Sequence, residues 1–219
     1  MEDAPTVGNA TIRSDDFPAA VTANGSIWRP PKSRIDHAAE AAALACVHRK
    51  KPDKALDILM RAYGTPLTAF ALRMVRNREL ANDVRQQVFL EALQGVDRFQ
   101  ERSSLWSWLC GIAYHRCLDE RRRLRRASAA DDFEALYALA GAPDPMMDPE
   151  RAAKRRALEQ CLGQLSPAMR TQLLMRFFFG LSYDEIGKIV GATHSAVQVR
   201  MSRLLPQLRR CLRGEGLAR

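Results

Sequence analysis

Apolar residues recur at spacings of three and four positions along most of the chain, which is the period of an amphipathic helix. The chain is also rich in Ala, Leu, Arg and Glu, which favour helix over strand. The expected fold class is all-α, with two helical domains. The pattern predicts helices over residues 35–48, 52–63, 66–75, 79–93, 103–126, 150–163, 167–179, 183–190 and 195–212.

Two stretches lack the helical period. Residues 1–34 mix Gly, Asn, Thr, Ser and Pro, so we predict a disordered N-terminal arm. Residues 127–150 carry one Gly, three Pro and six acids, which predicts a flexible linker with a short helix over 133–139. The helical domains are therefore expected at 35–126 and 151–219. Pro206 lies inside the last helical pattern and either ends that helix or kinks it.

The charge of the chain alternates in sign along its length, with a net charge of +9. Residues 49–126 carry 17 Lys and Arg against 9 Asp and Glu, and residues 151–219 carry 13 against 4. The stretch between them has six acids and no Lys or Arg. Two basic modules joined by an acidic connector indicate two contacts with a polyanion, most simply nucleic acid. The alternative is a pair of solvated charged surfaces.

Residues 181–203 have the pattern of a helix-turn-helix. Ser182 is suited to cap a short helix, and Gly191 allows the left-handed backbone that ends it. A second helix of this kind fits the major groove of DNA, where Arg and Gln form paired hydrogen bonds with base edges. An ordinary helical hairpin with a solvated face is the alternative. The residues expected to face DNA are His194, Ser195, Ala196, Gln198, Arg200, Ser202 and Arg203.

The sequence also disfavours several classes of protein. The N-terminus lacks a basic stretch followed by an apolar one, and the apolar runs are too short to span a bilayer. We therefore expect a cytoplasmic protein without membrane insertion. The five cysteines are odd in number and scattered, which predicts reduced thiols rather than disulfides.

Cys110, His115 and Cys117 raise the alternative of a metal-binding or redox-sensing protein. His115 lies on a different helix face from the two cysteines, and buried cysteines are common in helical cores, so we expect no metal and no cofactor. The chain has no glycine-rich phosphate loop, no nucleophile elbow and no metal-ligand helix, so we expect no catalytic residues and no enzyme.

Two stretches of the chain carry a combined motif. The first comprises 79–90, then Phe99, Trp106, 108–109, 112–113 and 118–123; the second comprises 165–167, 180–187 and 197–203. Together they resemble the extracytoplasmic-function group of the sigma-70 family of RNA polymerase sigma factors. The resemblance covers about 52–126 and 151–213. It implies that 35–126 is a sigma region 2-like domain and that 151–219 is a region 4-like domain. The implied partners are core RNA polymerase and promoter DNA.

The resemblance implies that the helix matching 79–93 docks on core polymerase. The residues expected on its docking face are Asp83, Gln86, Gln87 and Leu90. The family usually has an acid where this chain has Gln87, and often one at Asn82, so the docking face is less negative than is usual.

The resemblance also implies that residues 99–126 melt the promoter and hold the downstream element, through a flipped base and the strand backbone. One of the two tryptophans is expected in the core and the other near the strand. His115 stands where the family commonly has Asn, so the base preference is expected to differ. The residues implied are Arg102, Ser103, Ser104, Trp106, Trp108, His115, Arg116, Arg121, Arg122 and Arg123, followed by Arg125 and Arg126.

A DNA-binding regulator that acts without entering polymerase is the second interpretation, with residues 36–126 as a sensing or dimerising domain. The polar face on 83–90 and the arginine run after Trp108 favour the sigma factor, because a sensor domain needs neither. An anti-sigma factor is a further candidate partner. A Ser/Thr kinase is another, since phosphate on Thr65 or Thr68 would supply the negative charge that the docking face lacks.

Overall fold

The computed structural model describes residues 35–127 and 149–214, together with two-residue strands β1 (Ala20–Val21) and β2 (Ile27–Trp28). The strands pair antiparallel, with Ala20 opposite Trp28. Apart from this ladder, the predicted disordered arm lies outside the described residues. The predicted linker lies outside them except at its two ends, and its short helix lies wholly outside them.

The first helical unit has four helices, and the second has four more; the all-α expectation is confirmed for residues 35–127 and 149–214. The first comprises α1 (His37–His48), α2 (Pro52–Val75), α3 (Arg78–Gly95), a 3₁₀ turn (Val96–Arg98) and α4 (Leu105–Ala127). The second comprises α5 (Pro149–Gly163), α6 (Pro167–Leu173), a π-helical turn (Leu174–Phe178), α7 (Tyr183–Val190) and α8 (His194–Gly214). No described helix is long and apolar enough to cross a membrane.

The predicted break at 64–66 is wrong, because α2 runs unbroken through Gly64 and Pro66. Proline removes one helical donor, but its φ is compatible with the helix. The apolar face on both sides of the proline is fully buried, at Tyr63, Leu67 and Phe70. Burial along the whole length of α2 therefore outweighs the local preference for a turn.

The turn before α3 places it against α2. Arg76 adopts a left-handed conformation with φ of 53°, and the Asn77 side chain accepts from the Leu80 N–H to cap α3. Val84, Val88 and Phe89 then face the α2–α4 core. The opposite face of α3 is left to solvent.

Pro206 does not end α8, which continues to Gly214. The proline itself is exposed, while Leu204, Leu205 and Leu208 around it are buried. These leucines belong to a small core that also holds Leu165, Leu173, Met201 and Leu212. Packing of these leucines therefore keeps α8 continuous although Pro206 lacks a backbone N–H donor.

The prediction of reduced thiols is wrong for two of the five cysteines. Cys161 of α5 and Cys211 of α8 form a disulfide with their Cα atoms 5.8 Å apart. Their separation of 50 residues concealed the pairing, because it depends on how α5 packs against α8. Cys46, Cys110 and Cys117 form no disulfide, and burial raises the pKa of the Cys117 thiol to about 12. That thiol is therefore protonated and unreactive at neutral pH.

Breaking the disulfide should destabilise the second helical unit. A cross-link that closes a loop of 50 residues stabilises a fold by about 4 kcal/mol in the chain-entropy model, and measured effects are often smaller. We expect a lower urea midpoint for the wild type under reductant and for the Cys161→Ala/Cys211→Ala variant. The Cys46→Ala variant is the matched control and should keep the response of the wild type to reductant. Equal midpoints with and without reductant would contradict the prediction.

Candidate nucleic-acid interface

The first turn of α4 is anchored by a buried carboxylate from α1. Glu40 is 8% exposed, and it accepts from the Trp106 backbone N–H at 2.8 Å and from the Tyr63 hydroxyl at 3.0 Å. The Tyr63 oxygen accepts in turn from the Asp36 N–H at 3.0 Å. Burial is the main cause that raises the pKa of Tyr63, so its hydroxyl remains a donor. This network fixes the loop that precedes α4.

The two tryptophans of α4 have different surroundings. Trp106 is completely buried, whereas Trp108 is half-buried against Phe99, with ring centroids 5.3 Å apart. Trp108 and Phe99 line an open cavity of about 340 Å³ at the loop before α4. Its other lining residues are Gly95, Arg98, Gln100, Arg102 and Ser103. The cavity combines an aromatic wall with cationic side chains, which suits a nucleobase beside its phosphates.

The outer face of α4 carries a band of basic side chains. The described members are His115, Arg116, Arg121, Arg122, Arg123 and Arg126, all exposed except Arg121, which is half-buried. Several already pair with acids: Arg116 with Glu91, Arg122 with Asp119 and Arg123 with Glu120. The side chain of Arg125 lies outside the described residues. His115 contacts Tyr114 edge-on, with ring centroids 5.3 Å apart.

The predicted docking face of α3 is exposed along its whole length. Asp83, Gln86, Gln87 and Leu90 all face solvent, and Leu90 is 52% exposed. Val84 and Phe89 are buried on the opposite side, as the spacing predicts. The face is therefore accessible to a partner, although a single exposed leucine is also ordinary on a protein surface.

The turn between α7 and α8 has little freedom. Ser182 and Glu185 form a capping box at the start of α7, and Gly191 ends the helix with φ of 69°. A Cβ on Gly187 would lie 2.5 Å from the Ala192 carbonyl oxygen, so only glycine allows this close approach. Thr193 then accepts from the Ala196 N–H at 3.1 Å at the start of α8. The angle between the two helices is set by these contacts.

The outward face of α8 holds the predicted DNA-facing residues. His194, Ser195, Gln198, Arg200, Ser202 and Arg203 are exposed, and Ala196 is half-buried. Among the described residues, the side chains of Arg200 and Arg203 have no hydrogen bond or ion pair. His194 contacts Tyr183 of α7 edge-on, with ring centroids 5.9 Å apart. The opposite face is buried through Val197 and Met201.

The two helical units meet at the loop before α4. The Trp106 indole N–H donates to the Phe179 carbonyl at 2.9 Å, and the Ser104 hydroxyl donates to Glu185 at 3.2 Å. Lys188 donates to the Arg102 carbonyl at 3.4 Å. Of the residues predicted to approach DNA, Ser104 is thus half-buried at this contact, and Trp106 is fully buried between Tyr63 of its own unit and Phe179 of the second.

Sequence reasoning missed the residues that form this contact. The π-helical turn places consecutive Phe178 and Phe179 in the shared core, at 7% and 1% exposure. Phe179 packs on Phe70 with ring centroids 4.7 Å apart, and the Arg73 guanidinium lies 3.6 Å from the centroid of Phe178. The run of three phenylalanines at 177–179 was the available signal, because an α-helix cannot bury three successive positions on one face.

The two threonines proposed as phosphorylation sites differ in access. Thr65 is exposed on α2. Thr68 is half-buried, and its hydroxyl donates to the Gly64 carbonyl at 3.0 Å. Thr65 is therefore the more accessible of the two.

Comparisons with known proteins match both helical units. A family model described as Sigma-70 region 2 matches residues 59–127, and one described as Sigma-70, region 4 matches residues 155–208. The chain is 30% identical over 162 residues to the RNA polymerase sigma-H factor of Pseudomonas aeruginosa, covering 68% of this chain and 82% of that one. It is 30% identical over 158 residues to the RNA polymerase sigma factor CarQ of Myxococcus xanthus, covering 72% and 89%. It is 28% identical over 157 residues to the ECF RNA polymerase sigma factor SigK of Mycobacterium tuberculosis, covering 69% and 80%.

Two solved structures share the fold. One is the sigma factor RpoE in complex with the anti-sigma factor NepR from Bartonella quintana, with a TM-score of 0.55 and 22% identity, covering 70% of this chain and 94% of that chain. The other is CnrH in complex with the cytosolic domain of CnrY, with a TM-score of 0.52 and 22% identity, covering 84% and 99%.

Removing the carboxylate of Glu40 should loosen the loop before α4. The Glu40→Ala variant leaves the Trp106 N–H and the Tyr63 hydroxyl without their acceptor, and an unsatisfied buried donor costs about 1–3 kcal/mol. We expect the free energy of unfolding in urea to fall by that order. The Glu40→Gln variant keeps an acceptor oxygen and should lose clearly less. Equal losses in the two variants would mean that the hydrogen bonds do not hold the loop.

Proposed function

The chain belongs to the extracytoplasmic-function group of the sigma-70 family of RNA polymerase sigma factors, and from this membership we propose which of its residues bind polymerase and promoter DNA. As an alternative sigma factor, it brings core polymerase to promoters and helps to open them. The observation that carries this function is the presence of a region 2 match and a region 4 match in that order on one chain. A free-standing DNA-binding regulator would not need the first of these.

The two helical units have different roles, which follow the two matched regions. Residues 35–126 act as the unit for core binding and promoter melting, and residues 151–219 act as the unit for the upstream promoter element. Residues 127–150 join them. The first unit exposes a basic face on α4, and the second exposes one on α8. The side chains of these two faces do not take part in the hydrophobic cores.

Core polymerase is bound through the exposed face of α3. Asp83, Gln86 and Gln87 offer hydrogen bonds and one negative charge, and Leu90 adds an apolar contact at the end of the stripe. The buried face of α3 packs on α2 through side chains on the opposite side, so the docking face is held rigid. Binding of a partner there buries Leu90 without disturbing the core of the unit.

Promoter melting is assigned to the loop before α4 and to the basic band of α4. Flipping a base out of a duplex costs a few kcal/mol, and stacking on an aromatic side chain returns about 1–3 kcal/mol per base. The cavity beside Trp108 and Phe99 is open to such a base, and Arg102 and Ser103 lie on its rim. The arginines of α4 neutralise the phosphates of the same strand.

The contact between the two helical units limits which residues can reach DNA during promoter melting. Ser104 and Trp106 are engaged with Glu185 and Phe179 of the second unit. Ser104 is half-buried, and its hydroxyl becomes available to DNA only when Glu185 moves away. Trp106 is fully buried and also packs against Tyr63 of its own unit, with ring centroids 5.0 Å apart, so we assign it to the core rather than to the promoter contact. Trp108 and its cavity are accessible without separation.

Regulation by an anti-sigma factor is the proposal favoured by the related structures. Both solved relatives named above are complexes, one with an anti-sigma factor and the other with the cytosolic domain of CnrY. The exposed face of α3 and the seam between the two units are the candidate surfaces for such a partner. Phosphorylation at Thr65 remains a second route, for which exposure of the side chain is the supporting observation.

Charge reversal at Asp83 should weaken binding to core polymerase. Lysine at this position would repel the partner surface that pairs with the carboxylate, and it leaves the buried face of α3 untouched. We expect the dissociation constant for purified core to rise by about tenfold, which is 1.4 kcal/mol. The Asp57→Lys variant is the matched control, because it reverses an exposed acid on α2 and should bind core as the wild type does. Equal affinities for all three proteins would exclude this docking face.

Removal of the α8 arginines should weaken binding to the upstream element. Replacing a base-reading arginine by Ala costs about 1–3 kcal/mol of binding free energy and relaxes the base preference at one position of the element. Replacing a phosphate-binding arginine lowers the affinity for all sequences evenly. We expect Arg200→Ala and Arg203→Ala each to follow one of these patterns with upstream promoter duplexes. The Arg61→Ala variant changes an exposed arginine of α2 and serves as the control. Unchanged binding for both α8 variants would leave this face as a solvated surface only.

A further inference from the structure

One apolar side chain stands on the outward face of α8. Val199 is 47% exposed, and the other exposed large apolar residues among those described are Met60, Leu72 and Leu90. Val199 is the one of these four that lies on the helix proposed to read DNA. The other large apolar residues of α8 are buried.

The side chains around Val199 are small or flexible. Ser195 lies four residues before it, and Ser202 and Arg203 lie three and four residues after it, so the four form one stripe along the helix. The Ser202 hydroxyl donates to the Val199 carbonyl at 2.9 Å, which turns it back onto the helix backbone. The two serines therefore leave the methyl groups of Val199 as the prominent feature at the middle of the stripe.

The chemistry of the major groove limits what a valine can recognise there. The base edges present hydrogen-bond donors and acceptors, which valine cannot use, and the C5 methyl group of thymine is the apolar feature. The neighbours Gln198 and Arg200 on either flank can read the polar edges. Valine is also a poorer helix former than alanine, so an exposed valine at this position does not serve the helix itself.

We propose that Val199 contacts a thymine methyl group and so determines a thymine in the upstream promoter element. This inference rests on the proposed function of α8 as the DNA-reading helix, and it adds the base that one of its residues selects. Removing the thymine methyl group deletes the apolar contact with Val199. The expected loss is about fourfold in affinity, from the transfer free energy of one buried carbon.

Deoxyuridine tests the proposal directly, because it differs from thymidine only by the missing methyl group. Duplexes with a randomised upstream element are first selected with polymerase that carries the full-length chain. Each thymine of the selected element is then replaced in turn by deoxyuridine, and affinities are measured for the wild type and for the Val199→Ala, Val199→Thr and Met60→Ala variants. Circular dichroism verifies that all four proteins keep the same helical content.

We expect one deoxyuridine position to weaken the wild type about fourfold and to leave Val199→Ala unaffected. Val199→Thr retains one methyl group and should still discriminate, and Met60→Ala should match the wild type. A selected element without thymine, a wild type indifferent to every deoxyuridine, or a Val199→Ala variant that discriminates as the wild type does would each overturn the proposal. Failure to enrich any sequence would instead refute upstream recognition by α8, and the inference with it.

Discussion

Buried Trp106 makes the contact on which the relation of the two helical units depends. Its backbone N–H donates to Glu40 of α1, and its indole N–H donates to the Phe179 carbonyl of the second unit. A tryptophan buries about 150–250 Å² of surface, and a buried indole N–H without a partner carries a penalty of its own. Separation of the units therefore requires water or another acceptor to replace Phe179. The contact joins the packing of α1, the start of α4 and the π-helical turn into one cooperative arrangement.

Weak ion pairs within α4 order the basic band on its surface. Arg122 and Arg123 pair with Asp119 and Glu120, each three residues earlier on the same helix, and at least 57% of the Arg122 and Asp119 side chains is exposed. Exposed pairs of this kind contribute little to stability, so they are readily exchanged for other anions. A phosphate backbone presents a higher density of negative charge than two separate carboxylates. The band can therefore be ordered in the free protein and still be available to a strand of DNA.

Local sequence signals predicted most helix starts, because caps and turns depend on neighbouring residues. Ser166, Ser182 and Gly191 do what their side chains and conformational freedom indicate. The interior of α2 was misread at Pro66, because burial along the helix outweighs one lost donor. The disulfide and the Phe178–Phe179 contact were missed for a different reason: both join elements that are far apart in the chain. The exposed faces of α3 and α8 were predictable from spacing alone, because the helical period decides which side chains share a face.

The fit of Gly187 against Ala192 separates two properties of the second unit. The angle between α7 and α8 is set by atoms on the inner side of the turn, at Gly187, Gly191 and the Thr193 cap. The side chains that vary the outer surface, such as Gln198 and Val199, take no part in that geometry. The outer side chains of α8 can therefore be substituted without changing the contacts that set the angle between α7 and α8. This makes the unit a suitable scaffold for grafting other recognition surfaces, and it makes position 187 the one to leave untouched in such redesign.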